Sequence, residues 1–513
     1  MNVLAEQVTH ALKLAAKRSA LAPLLRALLR KPPPLARALK LGRVSGWDEA
    51  ARWLLSPNGR PALEDPSLLE VLEHDINRDI DTELLLTAVR KQLLLGAPEP
   101  LREAYVQSLV CALIQQCINN EYVWFVSQEE QQRVTALIAP GGTPTTAAAS
   151  AWQALAVLAM YRPLYELLGL GAPATQHTKT WEGLPGKLET LVRDYVAVYE
   201  EEMAIKQSIE SFGAIKDPVS RQVAANYEAY PYPRWIKIKE PVPGSRQQFL
   251  RELFQHDELA FLERPFDVLV AGCGTGSKAI QIALGLGENA RVWGADLSQA
   301  SLAYAARMAR KYQVHDRMKF LQVDILDLPK LGQQFDIVEC TGVLHHMRDP
   351  LEGGKAVVGR VRPGGVVHIS LYSELARREI VRLRREYEHR ITAINNDEIR
   401  AYRYRLMQDS PTTIDDALPT RGDFFDLSRC KDLLFHPVEH RFTIPQLAQA
   451  MNALGLEFRG FEIPKPIGNQ YWTPVPGTKH RRDLDRWWEF ERRNPDAFQN
   501  LYEIWCRQPS ARR

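Results

Sequence analysis

No stretch of this 513-residue chain approaches the roughly 18 consecutive apolar residues that a spanning helix needs. Its N-terminus also lacks a compact apolar segment ahead of a small-residue cleavage site, so neither a membrane span nor a secretory leader is expected. Cysteine is scarce and scattered: Cys111, Cys117, Cys273, Cys340, Cys430 and Cys506 form no CxxC pair and have no companion histidines at zinc-finger spacing. That excludes a disulfide scaffold and fits a reducing, cytoplasmic setting. An excess of one charge is missing as well. With 65 Lys and Arg against 62 Asp and Glu the net charge is only +3, which gives no nucleic-acid signal. Nor is there a convincing internal repeat, because the Trp, Gly, Tyr and Ala of a helical repeat of about 34 residues do not recur at fixed offsets.

What is present is a globular composition, 45% hydrophobic and 25% charged, on a chain long enough for two or three domains of about 150 residues. Residues 1–45 are a basic helical segment, with nine Lys or Arg against the single acid Glu6 up to Arg43. Such a segment serves as a transit peptide, as a surface-docking helix or simply as a basic first helix, and the last is the reading adopted. From 46 to 215 apolar residues recur at three- and four-residue steps, as in Leu85, Leu86, Val89, Leu93 and Leu94. This predicts an all-α domain, broken at Gly141–Pro144 and at Gly171 and Pro173, with a surface that could take a protein partner. Residues 216–245 hold Tyr227, Tyr230, Pro231, Tyr232, Pro233, Arg234 and Trp235, a run whose prolines exclude a helix interior or central strand. It is either an interdomain linker packed by its rings or a lid whose tyrosines close a pocket.

From about Phe266 short apolar runs alternate with helices. Phe266–Val270, Arg291–Ala295, Lys319–Val323, Phe335–Cys340 and Val366–Leu371 read as strands, and Gln299–Tyr312 as a helix between two of them. Alternation of this kind implies an α/β domain over 246–513, a parallel sheet covered on both faces with ligands bound at the carboxyl ends of its strands. A long insertion at about 374–443 separates the fifth strand from the last ones.

The first strand runs into Ala271, Gly272, Cys273, Gly274, Thr275 and Gly276, a turn able to approach a ligand closely ahead of a helix N-terminus. Taken alone it also fits the G-x-G-x-x-A dinucleotide fingerprint. Asp296, beside Leu297, ends the second strand, where a carboxylate can accept both ribose hydroxyls. Asp324, beside the apolar Ile325, ends the third, where a carboxylate can accept an adenine amino proton. Cys340, Gly342, His345 and His346 follow in the fourth strand and its loop.

With these residues the segment Phe266–Ser373 resembles the class I S-adenosylmethionine-dependent methyltransferases, of the type 11 and 12 kind. The wording Val270-Ala271-Gly272-Cys273-Gly274-Thr275-Gly276 and Leu371-Tyr372-Ser373-Glu374 is similar to that of a bacterial subfamily often fused to tetratricopeptide repeats. The likeness extends through His436–Thr443 to Trp487, Trp488 and Trp505. It implies a Rossmann-like seven-stranded methyltransferase sheet preceded by the all-α domain, and S-adenosylmethionine as cofactor. Ala271–Gly276, Asp296, Leu297, Asp324, Ile325, Cys340 and Gly342 would contact that cofactor. One departure is Val270, where many members carry an acid, so the amino group of the cofactor must be anchored elsewhere, with backbone around Cys340 the expected place. Two other readings stay open: a nicotinamide-dependent oxidoreductase on the same sheet, and a non-catalytic scaffold.

His345 and His346 are the expected catalytic residues, since an imidazole at a pocket mouth can remove an acceptor proton; the alternative is that one packs under the sheet edge. Tyr230, Tyr232, Tyr372, His436, Glu439 and His440 are the expected acceptor contacts. The last three spell the H-x-x-E-H zinc-peptidase string, but Pro437 allows at most a first helical turn there, so no metal is expected. The methyl acceptor is not specified by the sequence, although no Asn-Pro-Pro-Tyr or Asp-Pro-Pro-Tyr string follows the fourth strand.

Overall fold

The structure, a computed structural model, describes residues 33–138, 151–170, 184–229, 231–409, 422–472, 478–499 and 501–510. Most of the basic segment, the breaks at Gly141–Pro144 and at Gly171 and Pro173, and Tyr230 lie outside the described residues. The chain forms two compact units, Met1–Tyr199 with Ile394–Cys430, and Glu200–Ala393 with Lys431–Arg513.

The first unit is helical. Ile80–Leu95 starts where Asp79 accepts the Thr82 amide at 2.9 Å, and Gln128–Leu137 starts in a reciprocal cap between Ser127 and Glu130. The helix Ile80–Leu95 is buried nearly all round, Glu83 and Arg90 included, and packs Leu84, Leu85, Leu86, Val89, Leu93 and Leu94. Residues 394–430, which the sequence reading puts in the insertion of the sheet domain, cluster here. Among the contacts that hold them, fully buried Arg403 meets both oxygens of Glu83 at 2.9 and 3.2 Å, and Tyr404 stacks on Phe125.

The second unit is built on a mixed sheet. Its strands are β1 (Glu210–Phe212), β2 (Phe266–Ala271), β3 (Ala290–Asp296), β4 (Met318–Val323), β5 (Phe335–Thr341), β6 (Val361–Ser373), β7 (Arg441–Phe442), β8 (Glu457–Phe461) and β9 (Leu501–Arg507). They lie in the order β1-β4-β3-β2-β5-β6-β9-β8, with β7 also on β6, and only β9 runs antiparallel to its neighbours. The five predicted strands are β2 to β6. With β8 and β9 they complete the expected seven, and β1 and β7 are short additions.

Alternation along β2 explains why both faces are dry: Val268 and Val270 enter one apolar cluster, Leu269 and Ala271 the other. Helices such as Ser277–Leu286 and Gln299–Lys311 cover the sheet. Pairing of Ala271 with Ala295 and of Asp296 with Gln322 sets the carboxyl ends of β2, β3 and β4 side by side. Beyond the end of β5, β7 takes its place against Tyr372 and Ser373. Two expectations need correction. The stretch 46–215 does not stay helical, since Glu210–Phe212 is a strand paired parallel with β4. And the aromatic run begins in a helix: Tyr227 lies in the last turn of Pro218–Ala229, which ends ahead of Pro231.

Candidate active site

The turn after β2 is tied to the end of β3. Gly272 and Cys273 donate their amides to the Ala295 carbonyl at 2.8 and 3.0 Å, and Gly274 donates to Asp296 Oδ2 at 2.8 Å. Gly274 is obligatory: its φ is +52°, and a Cβ there would sit 2.3 Å from the Tyr232 carbonyl oxygen. Asp296 Oδ1 accepts the Ser298 amide at 3.0 Å. Burial pushes the Asp296 carboxyl up, against the N–H groups of Ser298, Gly274 and Leu297. The cap of Gln299–Lys311 is Ser298, not Asp296, which leaves the acid at the mouth of the turn. Asp324 accepts the Leu326 amide at 3.0 Å and so starts the turn Ile325–Leu331, with Ile325 buried behind it.

The cysteines are packing residues. All six are free and buried. Burial, then the charge of Asp296, pushes the Cys273 thiol well above its ordinary value, and burial pushes Cys340 up to about 12.

Past its helix the aromatic run is clamped to the glycine turn. Thr275 donates its amide to the Tyr232 carbonyl at 3.0 Å and its hydroxyl to that of Pro233, while Trp235 Nε1 reaches Thr275 Oγ1 at 3.0 Å. The side chains of Tyr227 and Tyr232 stack at 5.2 Å, and their hydroxyls donate to the two oxygens of Asp432 at 3.2 and 3.0 Å.

Asp432 opens a second group of side chains. His346 Nε2 lies 3.7 Å from Asp432 Oδ1, and the His346 and His436 rings are 3.7 Å apart. His345 is fully buried, stacks on Tyr372 at 3.7 Å and has no hydrogen-bond partner on either ring nitrogen. Burial and the neighbouring histidines push His345 well below the ordinary histidine range. Burial likewise brings His346 to about 4 and His436 to about 3, so all three are neutral near pH 7.

The structure thus brings His345, His346, His436, Tyr232 and Tyr372 together, and adds Tyr227 and Asp432. The H-x-x-E-H residues lie in a loop, so the string forms no helical zinc site. Glu439 corrects the expected role as an acceptor contact. It is buried, Arg377 grips both its oxygens at 3.0 and 2.6 Å, and Arg384 and Arg441 lie at 3.3 and 3.2 Å. Burial acts upward on Glu439, yet Arg377 and Arg384 hold it down at about 2. His440 Nε2 meets the Met347 carbonyl at 3.0 Å, and its amide donates to the His345 carbonyl at 2.8 Å, so it ties two loops together. Sequence reasoning missed Asp432, which lies in the last turn of Leu427–Phe435, just ahead of His436.

Residues 264–410 match the family model of a methyltransferase domain. The chain is 36% identical over 172 residues to an uncharacterized protein of Synechococcus sp., 33% of this chain and 41% of the relative. It is 29% identical over 158 residues, 30% of this chain and 63% of the relative, to the ubiquinone biosynthesis O-methyltransferase of Pseudomonas putida. The chain therefore spans less than two thirds of either relative. Among solved structures it is similar to PKMT2 of Rickettsia typhi with AdoHcy, at TM-score 0.38 and 14% identity over 54% of this chain and 55% of that one. It is also similar to the magnesium protoporphyrin IX methyltransferase of Synechocystis with SAH, at TM-score 0.30 and 13% identity over 56% of this chain and 99% of that one.

Proposed function

We propose that the chain, whose residues 264–410 match the family model of a methyltransferase domain, binds S-adenosylmethionine at the turn after β2 and methylates an acceptor held against the Tyr–His–Asp group. When bound, S-adenosylmethionine supplies an electrophilic methyl group on a sulfonium centre.

The residues fit an adenosine. Asp296 accepts the Gly274 amide on Oδ2 and the Ser298 amide on Oδ1, and a carboxylate, with about four lone-pair sites, has room left for a ribose hydroxyl. Asp324 uses one oxygen for Leu326 and offers the other to an amino group, with Ile325 as an apolar floor. Leu297 extends the ribose side. Val270 is buried and carries no charge, so the amino end of the donor falls to backbone around Cys340 and Gly342, where φ is +77°.

On the acceptor side, His345 carries two unpartnered ring nitrogens and accepts the hydrogen of the incoming nucleophile, while Tyr372 fixes its ring plane. Tyr232 lies next to the donor turn, its carbonyl on the Thr275 amide. The acceptor is a small molecule or a peptide side chain, and alignment rather than a strong base carries the rate. The observation that carries the reading is the Gly274 amide on Asp296, which joins two parts of an adenosine cleft.

The test is calorimetric binding of S-adenosylhomocysteine to the full chain and to Asp296→Ala and Gly274→Val. Loss of binding in both variants supports the pocket, and unchanged binding in both rejects it. Stabilisation by NAD with none by S-adenosylhomocysteine would favour an oxidoreductase instead.

A further inference from the structure

We propose that His346, His436 and Asp432 form a binding site for a divalent first-row transition metal. One ligand atom from each lies within 4.8 Å of the other two, and all three residues are buried.

The orientation of the imidazoles carries the inference. His346 Nδ1 and His436 Nδ1 both lie 2.7 Å from the Val438 carbonyl oxygen. A carbonyl only accepts, so His346 holds its proton on Nδ1 and carries a lone pair on Nε2; His436 Nδ1 faces the same carbonyl, with the Val438 amide also 3.2 Å away. Metal-binding histidines are oriented in this way, with the remote N–H on a carbonyl and the other nitrogen aimed at the ion. Buried His346 Nε2 has no hydrogen-bond partner, although Asp432 Oδ1 is 3.7 Å away. Two ligand atoms on a tetrahedral ion with bonds of about 2.1 Å stand roughly 3.4 Å apart, so this gap suits a shared ion better than a direct hydrogen bond.

Asp432 is supported from behind. The hydroxyls of Tyr227 and Tyr232 donate to its two oxygens, which fixes the carboxylate plane as an outer shell does. The nearby guanidiniums of Arg377 and Arg384 are both paired with the Glu439 carboxylate. Two imidazoles and one carboxylate suit zinc, cobalt or ferrous iron, and are a poor set for calcium or magnesium, which prefer all-oxygen shells. The site is separate from the H-x-x-E-H string, of which it uses only His436. It does not rest on the donor reading, because Asp296 and Asp324 take no part in it.

The full chain is stripped with a chelator, dialysed and titrated with Co(II) followed by visible absorption, with Zn(II) as competitor. One Co(II) per chain, displaced by Zn(II), is expected, with affinity lower by about tenfold or more in His436→Gln and in Asp432→Asn. No Co(II) binding to folded protein overturns the proposal, as does equal binding by both folded variants. Should the variants fail to fold, X-ray absorption of the Zn(II) form decides. A shell with two imidazoles supports the site, and one with sulfur or without histidine overturns it. S-adenosylhomocysteine binding by the stripped protein is read in parallel, so failure of the metal site is told apart from failure of the donor pocket.

Discussion

The amide of Gly274 lies 2.8 Å from a carboxylate oxygen of Asp296, 22 residues further along the chain. The contact closes the mouth formed by the ends of β2 and β3, and it makes the acid part of the turn. Asp296→Asn replaces one accepting oxygen by an NH2 group that faces an N–H donor. Hydrogen bonds to a charged group contribute about 1.5–3 kcal/mol, so S-adenosylhomocysteine affinity should fall by roughly 10- to 150-fold. Calorimetry on the folded variant measures it; an affinity within twofold of wild type would remove Asp296 from the donor site.

Gly274→Ala tests the other partner. Its Cβ would lie 2.3 Å from the Tyr232 carbonyl, at φ +52°, where a side chain is strained. The turn or the clamped aromatic segment must then move, at a cost of about 1–3 kcal/mol. Urea unfolding followed by tryptophan fluorescence should show this loss, because Trp235 is bonded to Thr275 in the same clamp. A midpoint equal to wild type would mean that the turn and the segment are independent.

The legible parts of this molecule are those whose physics is local. β2, β5 and β6 are buried parallel strands and announce themselves as runs rich in Val, Ile and Leu. Asp296 and Asp324 could be placed because each follows a predicted strand. β1 could not, since it has only three residues, largely exposed, and its partners Lys319 and Gln322 on β4 lie more than 100 positions away. Asp432 is part of a helix that looks ordinary until Tyr227 and Tyr232, 205 and 200 residues earlier, reach it. Residues 394–430 cluster with the helical unit through contacts such as that of Arg403 with Glu83, 320 positions apart, a pairing no spacing reveals.

That pair yields a prediction of its own. Arg403 and Glu83 are almost fully buried, and Arg403 also donates to the Phe424 and Val123 carbonyls. Truncating one member leaves a buried charge without its partner, which costs about 3–5 kcal/mol. Arg403→Ala should therefore lower the unfolding transition of the helical unit in calorimetry by several degrees. Replacing both residues by Met and Leu should recover much of the loss, and an unshifted Arg403→Ala melt would contradict the pairing.

Stability should also depend on pH through His368. Its Nδ1 lies 2.9 Å from Glu339 and its Nε2 forms an ion pair with Glu503 at 2.7 Å. Burial acts to lower His368, but Glu339 and Glu503 raise it above 6.5; burial acts to raise both glutamates, yet Arg246 and His368 hold Glu339, and His368 holds Glu503, below 4.5. The histidine contribution is complete below about pH 6.5 and fades as pH rises through the folded value; that of the glutamates is complete above about 4.5 and fades as pH falls. Both are at full strength between about 4.5 and 6.5. The stability difference between wild type and Glu339→Gln should be largest there and shrink toward alkaline pH in urea titrations. A difference constant from about pH 5 to 9 would exclude the charged triad.

Tyr232 links the glycine turn to Asp432, and its two ends do different work. Its carbonyl accepts the Thr275 amide at 3.0 Å and so braces the glycine turn, whereas its hydroxyl donates to Asp432 at 3.0 Å. Tyr232→Phe keeps the carbonyl and the ring stacked on Tyr227 and deletes only the hydroxyl. S-adenosylhomocysteine affinity should stay within about twofold. Transfer of a deuterated methyl group to species in a cell extract should fall by about five- to tenfold, the worth of one hydrogen bond of about 1 kcal/mol or slightly more. Mass spectrometry of the extract measures the second quantity and calorimetry the first. Equal losses in both would place the hydroxyl on the donor side, while unchanged transfer would detach Asp432 from the acceptor.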